Sequence, residues 1–500
     1  MSAAGLDGVE SLMLPDSASI EGAYQRQRRG TLQLLVGRGC FFASAYVVAA
    51  IAARRLGAID YGIYGVIMSL LLWVEMIATA NIPAIAKVIS GQRYDAGQTE
   101  ASARVFLVGS SALLFGVCWL LAPLLANAMG IPNGTLLFRI AALDLPLAFA
   151  YASYEGGLYG HRRFGVVALA QAGLAAARLL GLIVLVAIGF SVQRLLLVIV
   201  SSTLVVYTAL IVRRRWPPRS PAFGIIAEIA AIAAPMGVYL IGTQVLVNLD
   251  LWSLKSFWRG EGEVVGQYVA SVNLARMLTL IPFVQAGILF TSIAWATASK
   301  DMERARRHIQ ESTRFALILS VAACVIVGGE GEQLLSALFS NAYAAGYRFL
   351  RLQLAAFSLF ALLDVFCWSL MAAGRKWVAA STLITLVPVA AITNYVLISR
   401  LGPIGAAISM LIANAAAAAV TGTLAARQFG PVARVPTIVR VSLAAAAVGL
   451  VGGALTAHGL LLVGKLVLLA VLYLLVLYGT GEITRKDFAL GARHAAGSEA

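Results

Sequence analysis

Two stretches of the sequence share one pattern. Residues 55–64 read Arg-Leu-Gly-Ala-Ile-Asp-Tyr-Gly-Ile-Tyr, and residues 259–268 read Arg-Gly-Glu-Gly-Glu-Val-Val-Gly-Gln-Tyr. Both stretches end in Gly-x-Tyr and lead into a long apolar run, and the two motifs are offset by 204 residues (266 − 62). This pattern indicates an internal repeat.

The composition of the whole chain is typical of a membrane protein. Of the 500 residues, 60% are hydrophobic and only 12% are charged, whereas about 25% of a typical soluble domain is charged. A soluble protein this apolar could not cover its surface with polar groups, so lipid must surround most of the chain. The composition therefore excludes a soluble enzyme, a disordered chain and a secreted disulfide-linked domain.

Fourteen apolar runs have the length of about twenty residues that a helix needs to cross the bilayer. They cover residues 32–53, 63–88, 103–128, 134–158, 164–189, 193–212, 224–249, 264–297, 312–329, 350–373, 377–399, 403–426, 437–456 and 459–479. We therefore predict an all-α polytopic membrane protein with about 14 transmembrane helices. Six spans separate the two Gly-x-Tyr motifs, so both halves have the same orientation. Such parallel repeats form two six-helix lobes with a cavity between them, and here two C-terminal helices follow.

The predicted domain organisation follows from the same runs. It comprises a cytoplasmic N-terminal segment (1–30), an N-lobe (31–213), a basic, proline-rich cytoplasmic linker (214–223), a C-lobe (224–428), two further helices (429–480) and a cytoplasmic tail (481–500).

The excess of positive charge fits this topology. The formal net charge is +15, and an N-terminus in the cytoplasm places 25 of the 38 Lys and Arg residues in cytoplasmic segments and helix ends, 10 in outer loops and 3 inside spans. Lys and Arg are enriched in the cytoplasmic loops of membrane proteins. The bias therefore predicts a multi-pass membrane protein with both termini in the cytoplasm, and it needs no nucleic-acid partner.

The sequence carries no motif of a catalytic or metal-binding protein. It lacks the phosphate-binding loop G-x-x-x-x-G-K-[ST], the metalloprotease motif H-E-x-x-H and the hydrolase motif G-x-S-x-G. Its four cysteines lie far apart in apolar stretches without the spacing of metal ligands. We therefore expect a protein that is not an enzyme and that needs no cofactor and no metal.

Several segments resemble those of bacterial polysaccharide-export flippases, which belong to the multidrug/oligosaccharidyl-lipid/polysaccharide exporter superfamily. Ala52-Ala-Arg-Arg-Leu-Gly-Ala-Ile-Asp-Tyr-Gly-Ile-Tyr64 is similar to their A-R-x-L-G-x-x-x-Y-G-x-Y segment. Further similar segments follow in order along nearly the whole chain: Gly160–Phe164, Asn248–Asp250, Gly266–Leu274, Asp301–Ala305 and Leu335–Tyr343.

This resemblance implies a function. A member of this family lies in the bacterial inner membrane and moves undecaprenyl-pyrophosphate-linked oligosaccharide from its inner to its outer leaflet, for the export of exopolysaccharide, O-antigen or capsule. The partners so implied are the polyprenyl-pyrophosphate-linked oligosaccharide and the polysaccharide polymerase or export machinery.

Three arginines inside the predicted spans are candidate substrate ligands. A charge within the bilayer is costly and normally faces a cavity or a partner. Arg178 and Arg276 lie near mid-span, and Arg38 lies nearer the cytoplasmic end. Because a guanidinium group presents paired donors that match phosphate oxygens, we predict that all three bind the pyrophosphate. The alternative is that they form ion pairs with buried carboxylates and hold helices together.

Three carboxylates inside spans suggest ion coupling. Glu75, Asp144 and Asp364 lie well within spans two, four and ten, and a carrier driven by H⁺ or Na⁺ needs a buried carboxylate. The alternative is pairing with the arginines. These carboxylates keep open an ion-coupled multidrug or cation antiporter of the same superfamily, and a lipid II flippase is a further alternative.

Overall fold

A computed structural model describes residues 17–213, 219–258, 260–455, 457 and 459–484. Within these ranges the chain forms α-helices joined by short turns, without a β-strand. Parts of the predicted N-terminal segment, linker and tail (1–16, 214–218 and 485–500) lie outside the described residues.

Seventeen α-helices lie within the described residues. They are α1 Ser17–Ser90, α2 Ala96–Ala128, α3 Gly134–Ala142, α4 Asp144–Gly160, α5 Phe164–Ile188, α6 Val192–Arg213, α7 Phe223–Leu246, α8 Leu249–Phe257, α9 Gly262–Ala275, α10 Leu280–Ala298, α11 Met302–Gly329, α12 Gly331–Leu338, α13 Tyr347–Ala372, α14 Lys376–Leu401, α15 Pro403–Phe429, α16 Val435–Ala454 and α17 Leu460–Gly479.

The number of apolar helices agrees with the predicted number of spans. Thirteen helical segments of the described chain are long and apolar enough to cross a membrane. The first of them, Gln33–Ser90, has 58 residues, whereas one crossing needs about twenty. Gly57 divides it, because its φ of 78° and ψ of 169° are not helical. Counted as two spans, this segment brings the total to the predicted fourteen, and the prediction of an all-α polytopic membrane protein is confirmed.

One predicted span is broken in the structure. The sequence indicates a single long run over 264–297, but a 3₁₀ turn, Arg276–Thr279, separates α9 from α10. A 3₁₀ turn within a membrane helix often marks a functional position. Here it places Arg276 at the break.

The two halves of the chain repeat one pattern of helix packing. In the first half, α5 packs between α1 and α6, and α2 packs on α3 and α4. In the second half, α14 packs between α7 and α15, and α11 packs on α13. This correspondence agrees with two parallel six-helix lobes.

The glycines of the repeated Gly-x-Tyr motifs meet where the lobes join. A Cβ atom on Gly266 would lie 1.9 Å from the carbonyl oxygen of Ala58, and one on Gly62 would lie 2.9 Å from the backbone nitrogen of Gly266. No side chain fits at these distances, so α1 and α9 touch backbone to backbone. We refer to this pair, Gly62 and Gly266, as the glycine contact.

Hydrogen bonds surround the glycine contact. Asn273 Nδ2 donates to the hydroxyl of Tyr61 at 2.8 Å. Tyr343, in the 3₁₀ turn Asn341–Gly346, donates its hydroxyl to the carbonyl of Ala53 at 2.7 Å. Arg54 Nε donates to the carbonyl of Leu338, the last residue of α12, at 3.0 Å. Each bond joins a residue of α1 to the second half of the chain.

The last two helices are fixed to α11 at both ends by charged groups. At one end, Glu482 accepts hydrogen bonds from Arg314 Nε at 2.8 Å, from Thr437 at 2.9 Å and from Arg440 Nη1 at 3.1 Å. At the other end, Lys465 Nζ lies 2.5 Å from Glu330 Oε1, and both side chains are buried. The packing of α16 and α17 therefore depends on paired charges as well as on apolar contacts.

We expect Gly266→Ala to destabilise the protein. The new Cβ would overlap the carbonyl of Ala58, and overpacking of this kind costs about 1–3 kcal/mol. The thermal midpoint of the detergent-purified protein should fall. Gly109→Ala in α2 is the matched control, because a Cβ there meets nothing within 4 Å. Equal midpoints for the two variants would show that the glycine contact is not required.

We expect stability to depend on acid pH through Glu482. Burial alone would raise the pKa of Glu482, but hydrogen bonds from Thr437, Arg314 and Arg440 outweigh burial and hold this pKa below its usual value of 4.5. A carboxylate with a lowered pKa stabilises the fold above its unfolded pKa, and this stabilisation is lost as the pH falls through the folded value. The thermal midpoint should therefore fall between about pH 5 and pH 3.

Glu482→Gln tests this expectation. It should lower the free energy of unfolding by about 1.5–3 kcal/mol at neutral pH, the range for hydrogen bonds to a charged group. It should also remove part of the acid dependence. Glu303→Gln, at an exposed position in the first turn of α11, should change neither property. An unchanged acid profile in Glu482→Gln would contradict the assignment.

Candidate functional site

A cavity of about 360 Å³ lies between the two lobes. The first lobe contributes residues from α1, α4, α5 and α6, and the second contributes residues from α8, α9, the turn that follows α9 and the start of α10. Four of the six residues predicted from the sequence line this cavity: Glu75, Asp144, Arg178 and Arg276.

Arg178 lies in the middle of α5 and points into the cavity. Its guanidinium carbon is 5.2 Å from the centre of the Phe41 ring, which is within the range of a cation–π interaction. Its Nε is buried and has no hydrogen-bond partner among the described residues. Buried polar atoms are normally paired; Arg139 Nε, which lies outside the cavity, is likewise buried without a hydrogen-bond partner among the described residues.

Glu75 and Asp144 form a pair of carboxyl groups beside Arg178. Their side chains are within hydrogen-bonding contact of each other, and both lie within the electrostatic influence of Arg178. The hydroxyl of Thr203 in α6 lies near Asp144 and donates to the carbonyl of Ile199 at 3.2 Å. Because a hydrogen bond between two carboxyl groups needs a hydrogen on one of them, the pair is suited to hold a proton.

Arg276 brings a second guanidinium group from the other lobe. It lies at the break between α9 and α10, and its Nη2 donates to Asn248 Oδ1 at 2.7 Å. Asn248 directly precedes α8, so the residue at the start of α8 holds the side chain of the arginine that follows α9. The two cavity arginines thus belong to different lobes.

Several cavity residues were not identified from the sequence. The rings of Tyr46 and Tyr64 line the cavity, as does the amide of Asn273. Tyr64 is the last residue of the repeated Gly-x-Tyr motif, and its place in that motif could have identified it from the sequence as a candidate cavity residue. Tyr46 and Asn273 lie in apolar runs, where only the rotation of each helix decides what faces the cavity. These groups add hydroxyl, amide and aromatic surface to a cavity whose lining is mostly apolar apart from its four charged residues.

Arg38 does not line this cavity. Its Nη2 donates to the hydroxyl of Tyr159 at 3.0 Å, and it lies near Glu155, which accepts a hydrogen bond from Gln171 Nε2 at 3.2 Å. These residues belong to α1, α4 and α5. The surroundings of Arg38 match the alternative interpretation of the buried arginines, in which they connect helices.

Asp364 also lies outside the cavity, within the second lobe. It is on α13 and accepts a hydrogen bond from the hydroxyl of Tyr239 on α7. The predicted ion-coupling residues are therefore divided, with Glu75 and Asp144 together beside Arg178 and Asp364 in a separate cluster.

The charged groups of the cavity nearly balance. Arg178 and Arg276 contribute two positive charges, one from each lobe, and the Glu75–Asp144 pair contributes one negative charge when it holds a proton and two when it does not. The described residues contain no cluster of three or more His, Cys, Asp and Glu side chains suited to a metal ion. Hydroxyl, amide and aromatic groups beside the arginines can contact a polar headgroup.

Comparisons with solved structures identify similar folds. A multidrug resistance MATE family transporter of the MOP superfamily, in an inward-facing conformation, has a TM-score of 0.66 at 15% identity; the match covers 79% of this chain and 98% of that chain. The lipid II flippase MurJ, in an inward closed conformation, has a TM-score of 0.69 at 11% identity; the match covers 89% of this chain and 98% of that chain. A MOP superfamily transporter from Pyrococcus furiosus has a TM-score of 0.55 at 14% identity; the match covers 81% of this chain and 96% of that chain.

The sequence itself matches one family. No curated protein matches it significantly. The sequence model of the family described as "Polysaccharide biosynthesis protein" matches residues 28–293. This match covers more than half of the chain and includes every residue that lines the cavity. The chain is a multi-pass membrane protein with the fold of MOP superfamily transporters, and it belongs to the polysaccharide biosynthesis protein family.

Proposed function

We propose that this protein flips undecaprenyl-pyrophosphate-linked oligosaccharide across the bacterial inner membrane by alternating access, for the export of exopolysaccharide, O-antigen or capsule. The observation that carries the proposal is the position of Arg178 and Arg276, one from each lobe, on the same cavity. A pyrophosphate offers oxygens to both guanidinium groups at once.

A ligand held between the lobes would couple binding to their movement. In transporters built from two repeats, the substrate site lies at the interface of the repeats, which move against each other around it. The polyprenyl tail would stay in the lipid while the headgroup occupies the cavity. The biased distribution of Lys and Arg supports cytoplasmic termini for this topology.

The Glu75–Asp144 pair supports coupling to protons. A carboxyl pair beside Arg178 competes with the substrate phosphate for the charge of the arginine. When the pair loses its proton, its charge changes from −1 to −2 and outweighs the single positive charge of Arg178, which favours release. When the pair regains the proton, the competing charge is halved and Arg178 binds the phosphate more strongly. Sodium is the alternative coupling ion.

We expect Arg178→Ala and Arg276→Ala each to weaken binding of the lipid-linked substrate and slow its flipping. Loss of a hydrogen bond to a charged group costs about 1.5–3 kcal/mol, which corresponds to a roughly ten- to hundredfold effect. The measurement is the appearance of a fluorescent undecaprenyl-pyrophosphate oligosaccharide in the opposite leaflet of liposomes. Arg178→Lys should recover only part of the activity, because an ammonium group lacks the forked donors.

Arg139→Ala is the matched control for these variants. Arg139 is half-buried and lies over an aromatic ring, with its guanidinium carbon 5.0 Å from the centre of Trp119, but it does not line the cavity. Its loss should leave flipping unchanged. Equal activity in all variants would make the cavity arginines structural. A wild type that exports organic cations in exchange for protons, without flipping the lipid, would instead support the antiporter alternative, which the carboxyl pair favours.

We expect Glu75→Gln to uncouple flipping from a proton gradient. The amide cannot exchange a proton, so the rate should no longer respond to a pH difference across the liposome membrane, while Arg178 still binds the phosphate. Glu155→Gln is the control, because Glu155 is also buried in the first lobe but does not line the cavity. A gradient response retained by Glu75→Gln, or a response of the wild type to sodium alone, would contradict proton coupling at this pair.

A further inference from the structure

A second, larger concave site lies on the first lobe, away from the central cavity. It is a groove of about 1000 Å³ between α5 and α6, with its floor formed by α4, and none of its lining residues lines the central cavity. Small residues of α5 and α6, including Gly173, Ala176 and Ala209, create the space. Its rims face outward, since Leu169, Leu180 and Val205 are 63%, 62% and 60% exposed.

The groove faces the hydrocarbon of the bilayer along most of its length. Both α5 and α6 are apolar enough to cross the membrane, and the lining is apolar apart from its residues at one end. Lipid chains are therefore the molecules that surround this groove. A concave apolar site of this volume is at the upper end of the range of about 300–1000 Å³ for ligand pockets.

The polar end of the groove carries two arginines. Arg162 and Arg163 lie in the turn between α4 and α5, and both side chains are exposed. In the described part of the chain neither guanidinium group has a hydrogen bond or an ion pair. Gln33 of α1 lines the same end.

The backbone holds this arginine pair in place. Arg162 has a φ of 57°, a left-handed conformation that residues other than glycine rarely adopt. The turn is stabilised by hydrogen bonds from Arg162 N to Tyr159 O at 3.0 Å and from Arg163 N to Leu158 O at 2.8 Å. The backbone of the turn is therefore fixed, and both arginine side chains extend from it at the polar end of the apolar groove.

We propose that this groove binds an anionic phospholipid, with its phosphate at Arg162 and Arg163 and its acyl chains between α5 and α6. Basic pockets between membrane helices on the cytoplasmic side bind anionic lipid headgroups. The oligosaccharide-linked substrate fits this groove poorly, because the lining offers few polar groups to a sugar headgroup and shares no residue with the central cavity. The proposal rests on the membrane location of the chain and on the predicted cytoplasmic side of the turn with Arg162 and Arg163, and it does not depend on the flippase activity.

Binding of defined lipids to the purified full-length protein tests the proposal. The protein is titrated with phosphatidylglycerol or with phosphatidylcholine of the same acyl chains, and bound lipid is counted by native mass spectrometry. The wild type should bind phosphatidylglycerol more tightly. Replacing both arginines (Arg162→Ala with Arg163→Ala) should weaken its binding about thirtyfold, from about 1 kcal/mol per basic residue and 1.4 kcal/mol per tenfold change.

Two further variants test the apolar part of the groove. At Gly173 a new Cβ would meet only Val206 Cγ2, at 3.7 Å, so Gly173→Leu can fold and place its side chain in the groove. Ala176→Leu fills the groove from an exposed lining position. Each should weaken the binding of both lipids while preserving the preference for phosphatidylglycerol, because filling the groove leaves the two arginines in place.

The matched control replaces another exposed arginine pair, Arg306 and Arg307 on α11, by alanine. This variant should bind phosphatidylglycerol like the wild type. Equal weakening by the control and by the Arg162/Arg163 variant would show that only the general positive charge matters, and would overturn the proposal. Displacement of phosphatidylglycerol by undecaprenyl phosphate, with loss of both ligands in the Arg162/Arg163 variant, would assign the groove to the polyprenyl lipid instead.

Discussion

The backbone contact between Gly62 and Gly266 is the constraint on which the arrangement of the lobes depends. A Cβ on Gly266 would lie 1.9 Å from a carbonyl oxygen, so only glycine allows α1 and α9 to approach this closely. Membrane helices pack closely through small residues because lipid provides little hydrophobic force between them. The contact sets the positions of the residues that follow it, Tyr64 on α1 and Asn273 on α9, both of which line the cavity.

The same geometry explains how charged groups are accommodated inside the membrane. An isolated arginine at mid-span is costly, yet Arg178 has two carboxyl groups and an aromatic ring nearby, and Arg276 has Asn248. These contacts offset the cost only in part, because Arg178 Nε has no partner among the described residues. A ligand that places hydrogen-bond acceptors beside Arg178 would offset more of the cost of burying this arginine.

The sequence predicted the helices well because a membrane span needs only length and apolarity. It also predicted that Arg178, Arg276, Glu75 and Asp144 face something other than lipid, since buried charge requires it. It could not separate Arg38 and Asp364 from this set, because depth in the membrane does not reveal which neighbour a side chain meets. The break at Arg276 was also missed, although Pro282 was an available signal, because it lacks the N–H that would bond to the carbonyl of Leu278 in the 3₁₀ turn.

The end of the molecule closed by the glycine contact has the properties that a gate needs. Its closure combines the backbone contact with the packing of the Tyr61 ring against Phe339 and Tyr343 and with a few hydrogen bonds from α1, such as those between Tyr61 and Asn273 and between Tyr343 and Ala53. Each hydrogen bond contributes about 0.5–1.5 kcal/mol net. Opening at this end would break these contacts, and a ligand shifts the balance only by binding one arrangement of the lobes better than the other. A ligand that binds Arg178 and Arg276 in one arrangement of the lobes better than in the other would then be sufficient to change their equilibrium.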